Sequence, residues 1–281
     1  MTTTSAKPSP AMPGGPRPRA AIAAKTLRTD RWWLPSLLSG GGFGLFVLYT
    51  GIRCFFIQES FWVEQYHYLT PVFSPCISEK CPDNASDLGQ WLPASLPFFI
   101  PLPILTLGIL TVFRLTCYYY RKMYYRAYFM SPPGCAVNEP AKKYSGETRF
   151  PLIFQNIHRY GWWLACGLLM INTWDAVRAF HGADGDVAGG FGIGLGTLII
   201  WGNLVMLWGY SVSCHACRHI TGGRLKHFSR HPVRYWLWTK VSKLNAKHME
   251  FAWASLFSVI ITDVYIMSVS AGWITDLRIF N

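Results

Sequence analysis

Apolar residues in this chain gather into five long runs, roughly 36–57, 96–117, 160–178, 191–213 and 249–271, with polar residues pushed into the segments between them. Crossing the hydrocarbon core of a bilayer takes about 20 apolar residues in helix. Backbone polar groups in lipid must be satisfied within their own segment, so the runs predict five transmembrane α-helices. The expected fold is an all-α integral membrane protein, a five-helix bundle. The first run lacks a small-residue cleavage site and follows a Pro-rich stretch, so it reads as a retained span and not as a signal peptide. Residues 1–32 read as a disordered cytoplasmic tail, since MTTTSAKPSPAMPGGPRPRAAIAAK is rich in Pro, Ser and Ala. Residues 33–281 read as the transmembrane domain.

Charge orients the bundle. Residues 1–35 carry six Lys and Arg, 118–158 six more and 215–247 eight, whereas 58–95 and 179–190 together carry only Lys80. Positive residues stay on the cytoplasmic side. The N-terminus and both basic loops are therefore expected inside, the C-terminus outside, and the protein in the cell (inner or plasma) membrane with soluble partners on its cytoplasmic face. Composition agrees: 14% of residues are charged and 16% aromatic, against about a quarter charged in soluble proteins. The net charge of +12 is mostly a topology signal. It points to membrane lipid and gives no reason to expect nucleic acid. GGFGIGLG (189–196) follows no predicted strand, so it is no nucleotide fingerprint; its small residues suit close helix contact.

The cysteines and histidines fall in a pattern. Cys117 ends the second run, His158 precedes the third, Cys214 and Cys217 follow the fourth and His248 begins the fifth. All lie at cytoplasmic helix ends, where a bundle can bring them to one layer. Thiolates with imidazoles select zinc or iron–sulfur chemistry. Two Cys with two His is the ligand set of a Rieske-type [2Fe–2S] centre and also of a structural zinc. The proposed set is Cys117, His158, Cys214 and His248, with Cys217 and His219 in reserve because CHACRH offers C-x-x-C and C-x-H spacings and helix ends shift by a residue or two. Cys135, in SPPGCAV, ranks behind both. The bland alternative makes the cysteines packing groups and lets the histidines bind loop carbonyls, the role also expected of Cys54 and Cys166 as packing residues. His67 and His181 lie at the other face, as do Cys76 and Cys81, where CISEKC admits a disulfide. The first two runs contain no His and the other three none in their middles, a pattern that disfavours haem b.

TCYYYRKMYYRAYFMSPPGCAV (116–137), FPLIFQNIHRYGWWL (150–164), SCHACRHITGGRLKHFSRHPVRYW (213–236) and LNAKHMEFAWASL (244–256) resemble the membrane-anchor, cytochrome-b-type subunit of actinobacterial succinate dehydrogenases, the single-subunit five-helix kind. The resemblance covers roughly residues 33–280. It implies a role in succinate:quinone oxidoreduction, in respiration and the tricarboxylic acid cycle, as a subunit that is not catalytic on its own. It also implies two partners, a flavoprotein and an iron–sulfur subunit, with quinone as substrate, and admits a trimer of complexes. Related anchors hold two b haems through four intramembrane histidines; this chain departs from that, which adds weight to the Cys/His cluster as electron carrier.

In that light the two basic loops form a platform for a soluble partner, since Arg, Tyr and Trp are enriched at interfaces; the same residues also suit the headgroup layer. A quinone head needs hydrogen-bond donors near lipid, and Tyr119, Arg121, His231 and Tyr235 are the candidates. Asp263, mid-way along the fifth run, either carries protons or is held by Asn172 or a serine. Two other functions compete. A transporter should show internal repeats and paired broken helices, and Pro97, Pro101 and Pro103 find no counterpart. A zinc-clamped scaffold would use the same Cys and His without redox chemistry.

Overall fold

The computed structural model describes residues 30–77, 81–82, 85–86, 103–124, 134–135, 137, 148–150, 152–181 and 190–280. The chain forms two compact units. In the first, residues 1–41 with 122–145, Gly134 lies against the ring of Trp32. The second, residues 42–121 with 146–281, holds a helical bundle. The tail expected over 1–32 falls almost wholly outside the described residues.

The helices are α1 Leu34–Phe55, α2 Pro103–Thr116, α3 Tyr118–Tyr124, α4 His158–Arg178, α5 Leu195–Val212, α6 His215–Gly222, α7 Pro232–Asn245 and α8 His248–Ser270. α5 packs along α8, and α4 packs between α2 and α5. On α8 the buried positions Ala252, Ser255, Leu256, Thr262, Asp263 and Ile266 recur at helical spacing and form one face. Phe257, Ile261 and Val264 point outward.

The bundle is apolar outside and polar inside. Leu38, Leu45, Leu48, Leu198, Val205 and Ile261 are exposed, whereas Thr50, Arg53, Thr106, Arg114, Asn203, Thr262 and Asp263 are buried. That inversion suits helices surrounded by lipid and bonded to one another. Among the described residues three helices, α1, α5 and α8, are long and apolar enough to cross a bilayer, about 27 to 35 Å at 1.5 Å per residue. α4 is as long, with 21 residues, but carries Asn172, Thr173 and Asp175. α2 is a shorter apolar helix of 14 residues, and the start of its run, 96–102, falls outside the described residues.

The structure departs from the expected picture in three places. The basic loops contain helices: α3, α6 and α7. α7 starts on Pro232, whose missing N–H costs nothing in a first turn. Two small antiparallel sheets cap the end of the bundle remote from Cys117: β1 Trp62–Val63 pairs with β2 Tyr68–Leu69, and β3 Ile193–Gly194 with β4 Arg278–Phe280. Cys76 and Cys81 form a disulfide there, and His67 stacks on His181 with centroids 3.8 Å apart.

The third departure is Asp263. Its partner is neither Asn172, whose amide donates to the Leu168 carbonyl at 3.0 Å, nor a serine. Arg53 donates to both carboxylate oxygens, from Nε at 2.7 Å and Nη2 at 3.2 Å, and the Tyr49 hydroxyl donates at 2.5 Å. The pair lies inside the bundle, with both side chains buried, and ties α1 to α8. Removing one partner of a buried ion pair strands the other charge, at a cost of about 3–5 kcal/mol. Asp263→Ala should therefore lower the thermal stability of the detergent-purified protein sharply. Arg53→Met combined with Asp263→Leu should cost less than Asp263→Ala alone. Equal losses would show that the stranded charge is not the cause.

Candidate metal centre

Three chain turns and one helix start build the site. α2 stops at Thr116, and Cys117 occupies the junction with α3. Cys214 is the N-cap of α6, in extended conformation, its Sγ accepting from the Ala216 N–H at 3.4 Å. His158 opens α4 after a 3₁₀ turn over Leu152–Ile157, and His248 opens α8 just beyond α7. The Asn245 amide donates to the Ser213 carbonyl at 2.7 Å, which fastens the α7–α8 turn to the α5–α6 turn.

The four side chains meet as two thiol–imidazole pairs. His248 Nε2 lies 3.4 Å from Cys117 Sγ, and His158 Nε2 lies 3.2 Å from Cys214 Sγ. Both rings are held from behind. The Thr116 hydroxyl donates to the carbonyls of Val112 and Phe113, so its oxygen accepts from His158 Nδ1 at 2.9 Å. The Ser213 hydroxyl donates to the Tyr210 carbonyl and accepts from His248 Nδ1 at 2.7 Å. Each imidazole thus carries its proton on Nδ1 and turns the Nε2 lone pair to a cysteine. A bonded rear nitrogen is how metal-ligating histidines are generally oriented. Stacking completes the grip: His158 lies parallel to Phe113 within 8°, and His248 parallel to Tyr210 within 4°.

All four residues line one open cleft of about 430 Å³, together with Thr116, Arg121, Gln155 and His215. A second cleft of about 450 Å³ shares His158 and His215 and adds Arg159, Tyr160 and His219. Burial, and then the neighbouring Cys117, pushes the Cys214 thiol up to about 12. It is protonated at neutral pH and donates its S–H to His158. Burial and Arg218 lower the pKa of His215. Among the described residues no three His, Cys, Asp or Glu side chains surround a single point as ligands of one metal ion. Two sulfurs and two imidazole nitrogens are the donor atoms that the cleft gathers.

The other candidates are more scattered. Cys217 lines neither cleft. His219 lies in the second cleft only, and Cys135 is exposed in the other unit. Of the four residues expected at a quinone head, Arg121 lines the first cleft and the Tyr119 ring sits 5.5 Å from His248. His231 and Tyr235 lie at the start of α7, exposed, and line neither cleft. Sequence reasoning missed Thr116 and Ser213. Each immediately precedes a candidate ligand, in the dipeptides Thr116–Cys117 and Ser213–Cys214, so the signal was present.

Comparison with known proteins gives this geometry a context. The sequence pattern of the actinobacterial succinate dehydrogenase subunit SdhC matches residues 34–272. A chain of the solved Mycobacterium smegmatis Sdh1 complex in the apo form is 53% identical, with a TM-score of 0.84, over 95% of this chain and 98% of that one. Comparison with curated proteins finds no match. The chain belongs to the actinobacterial succinate dehydrogenase SdhC family, and is thereby a membrane subunit of that enzyme.

Proposed function

We propose that this chain anchors a succinate:quinone oxidoreductase in the membrane and carries one of its redox centres, a Rieske-type [2Fe–2S] cluster held by Cys117, Cys214, His158 and His248. One observation carries the reading: two cysteines and two histidines from four separate helix ends meet in one cleft, with both imidazoles locked Nε2-forward. When bound, such a cluster supplies one-electron chemistry at about −150 to +300 mV, a range suited to quinone reduction. Cys117 and Cys214 would lose their protons to ligate, and the histidines would ligate as neutral rings. Thr116 and Ser213 hold those rings, while Arg121 at the cleft and Tyr119 beside His248 offer donors for a quinone oxygen.

The cluster is tested in the purified complex. His158→Ala with His248→Ala should abolish the membrane iron–sulfur EPR signal and quinone reduction. Succinate oxidation by an artificial acceptor at the flavoprotein should persist. Zinc in place of iron, or no acid-labile sulfide in the membrane subunit of the wild type, would overturn the assignment.

The same reading gives five spans with the N-terminus in the cytoplasm, supported by the Lys and Arg asymmetry of the connecting segments. A reporter fused after Asn281 should respond on the outer side; a cytoplasmic signal would invert the topology.

α6, α7 and their connection form the platform for the iron–sulfur subunit, beside which the flavoprotein sits. Arg234 does not serve there as a docking charge. It donates to the carbonyls of Ile220, Thr221 and Gly223 and so caps the end of α6. At Gly222 a Cβ would meet the Trp238 ring at 2.0 Å, which holds α6 hard against α7. Lys226 and Arg230 are exposed on this connection. Reversing both charges should weaken retention of the iron–sulfur subunit without unfolding the bundle. Full retention on an affinity column would place the platform elsewhere.

A further inference from the structure

Among the described residues two arginines are buried inside the bundle, and they are treated differently. Arg53 has the Asp263 carboxylate. Arg114, one turn before Cys117 on α2 and only 4% exposed, has none. Its Nη1 donates to the Tyr120 hydroxyl at 2.8 Å and the Ala252 carbonyl at 3.2 Å, and its Nη2 donates to the Ser255 hydroxyl at 3.1 Å. Its guanidinium lies over the rings of Tyr210 at 4.8 Å and of Phe46 and Tyr120 at 5.8 Å. Every one of these partners is neutral, and among the described residues no carboxylate forms an ion pair with Arg114. Guanidinium stays charged at any accessible pH. A buried, uncompensated cation is costly, and an ionisable group within a membrane helix points to function by default.

Its position shows what it serves. The Arg114 carbonyl accepts from the Cys117 N–H at 3.0 Å, so the cation and that thiol share one helix turn. Tyr210, over which the guanidinium lies, stacks face to face on His248 at 5.0 Å. The charge therefore stands one turn from one candidate ligand and one ring from another. Three hydrogen bonds and three ring faces hold it there, so it cannot swing away to water.

We propose that Arg114 is the fixed counter-charge of the redox centre, favouring its reduced state. The inference rests on the reading that Cys117, His158, Cys214 and His248 hold a [2Fe–2S] cluster. Uptake of one electron, supplied by the soluble subunits of the enzyme, adds one negative charge to the site and leaves the guanidinium charge beside it unchanged. The cation stabilises the state with the extra electron relative to the state without it. As a general scale, a unit charge about 10 Å from a redox group, at an effective dielectric near 20, shifts its reduction equilibrium by about tenfold or more. Arg114 touches no substrate and acts through the field it imposes.

The test is an EPR-monitored redox titration of the intact complex. Arg114→Gln should lower the equilibrium constant for reduction about tenfold or more, a shift of about 59 mV for a one-electron couple. Ser255→Asp, which places a carboxylate against Nη2 and leaves the arginine in place, should shift it the same way. Arg114→Lys and Ser255→Asn should stay within about threefold of wild type, since neither alters the charge. If Arg114→Gln loses the cluster, the two Ser255 variants decide alone. A cluster signal with unchanged potential in Ser255→Asp and in any Arg114→Gln that retains it overturns the role of Arg114 and leaves the cluster standing. A wild-type complex with no membrane cluster signal overturns the cluster itself, and this inference with it.

Discussion

A polar atom placed between apolar helices in a bilayer has no water to bind, so the protein must answer it. That requirement organises this bundle. Arg53 with Asp263 and Tyr49 joins α1 to α8. Arg114 joins α2 to α8 through Ala252 and Ser255. Ser258 donates to Asn203 and joins α8 to α5. Between surfaces as apolar as lipid, hydrophobic burial discriminates poorly among helix arrangements, and such bonds set the register. Tyr210 Oη is an exception: among the described residues it has no oxygen or nitrogen partner, and it neighbours the Cys117 sulfur.

The same rule makes the two ends of the bundle unlike. At the end away from Cys117, carboxylates are closed in by hydroxyls and amides. Asp175 accepts from Ser74 and Ser86. Asp276 accepts from Tyr68, Tyr265 and the Gly196 N–H. Two small sheets and a disulfide complete that cover. The opposite end is left as two clefts lined by imidazole, guanidinium and amide groups. The closed end supports the bundle, and the open end is where the proposed cluster, quinone and soluble partners would be met. Thr116 and Ser213 connect the two demands. Each satisfies a helix carbonyl with its proton and a histidine with its oxygen, so finishing a helix and orienting a candidate ligand are one act.

Much of this was legible along the chain because a helix end is a local property. Cys117, His158, Cys214 and His248 each sit where an apolar run starts or stops, and those boundaries follow from residue type alone. The CISEKC spacing admitted the disulfide for the same reason. Legibility failed where a role depends on a partner far away in sequence. Asp263 was visible as a buried acid, but Arg53 lies 210 residues from it and is hidden inside an apolar run. Arg234 read as one of several loop charges until α7 turned it back onto the carbonyls of α6. His231 and Tyr235 were grouped with Arg121 by composition, and the fold separates them.

By itself the sequence determined the runs, the asymmetry of basic residues, the ends at which Cys and His accumulate and the family motifs. Each depends on residues adjacent in the chain or on the solvent a segment prefers. Tertiary structure alone decided which imidazole faces which thiol, which hydroxyl holds each ring, and which of two buried arginines is neutralised. Those outcomes depend on the angle at which one helix crosses another, and many crossings suit the same apolar surfaces. Only the crossing in which the buried polar groups find their partners gives the site its geometry.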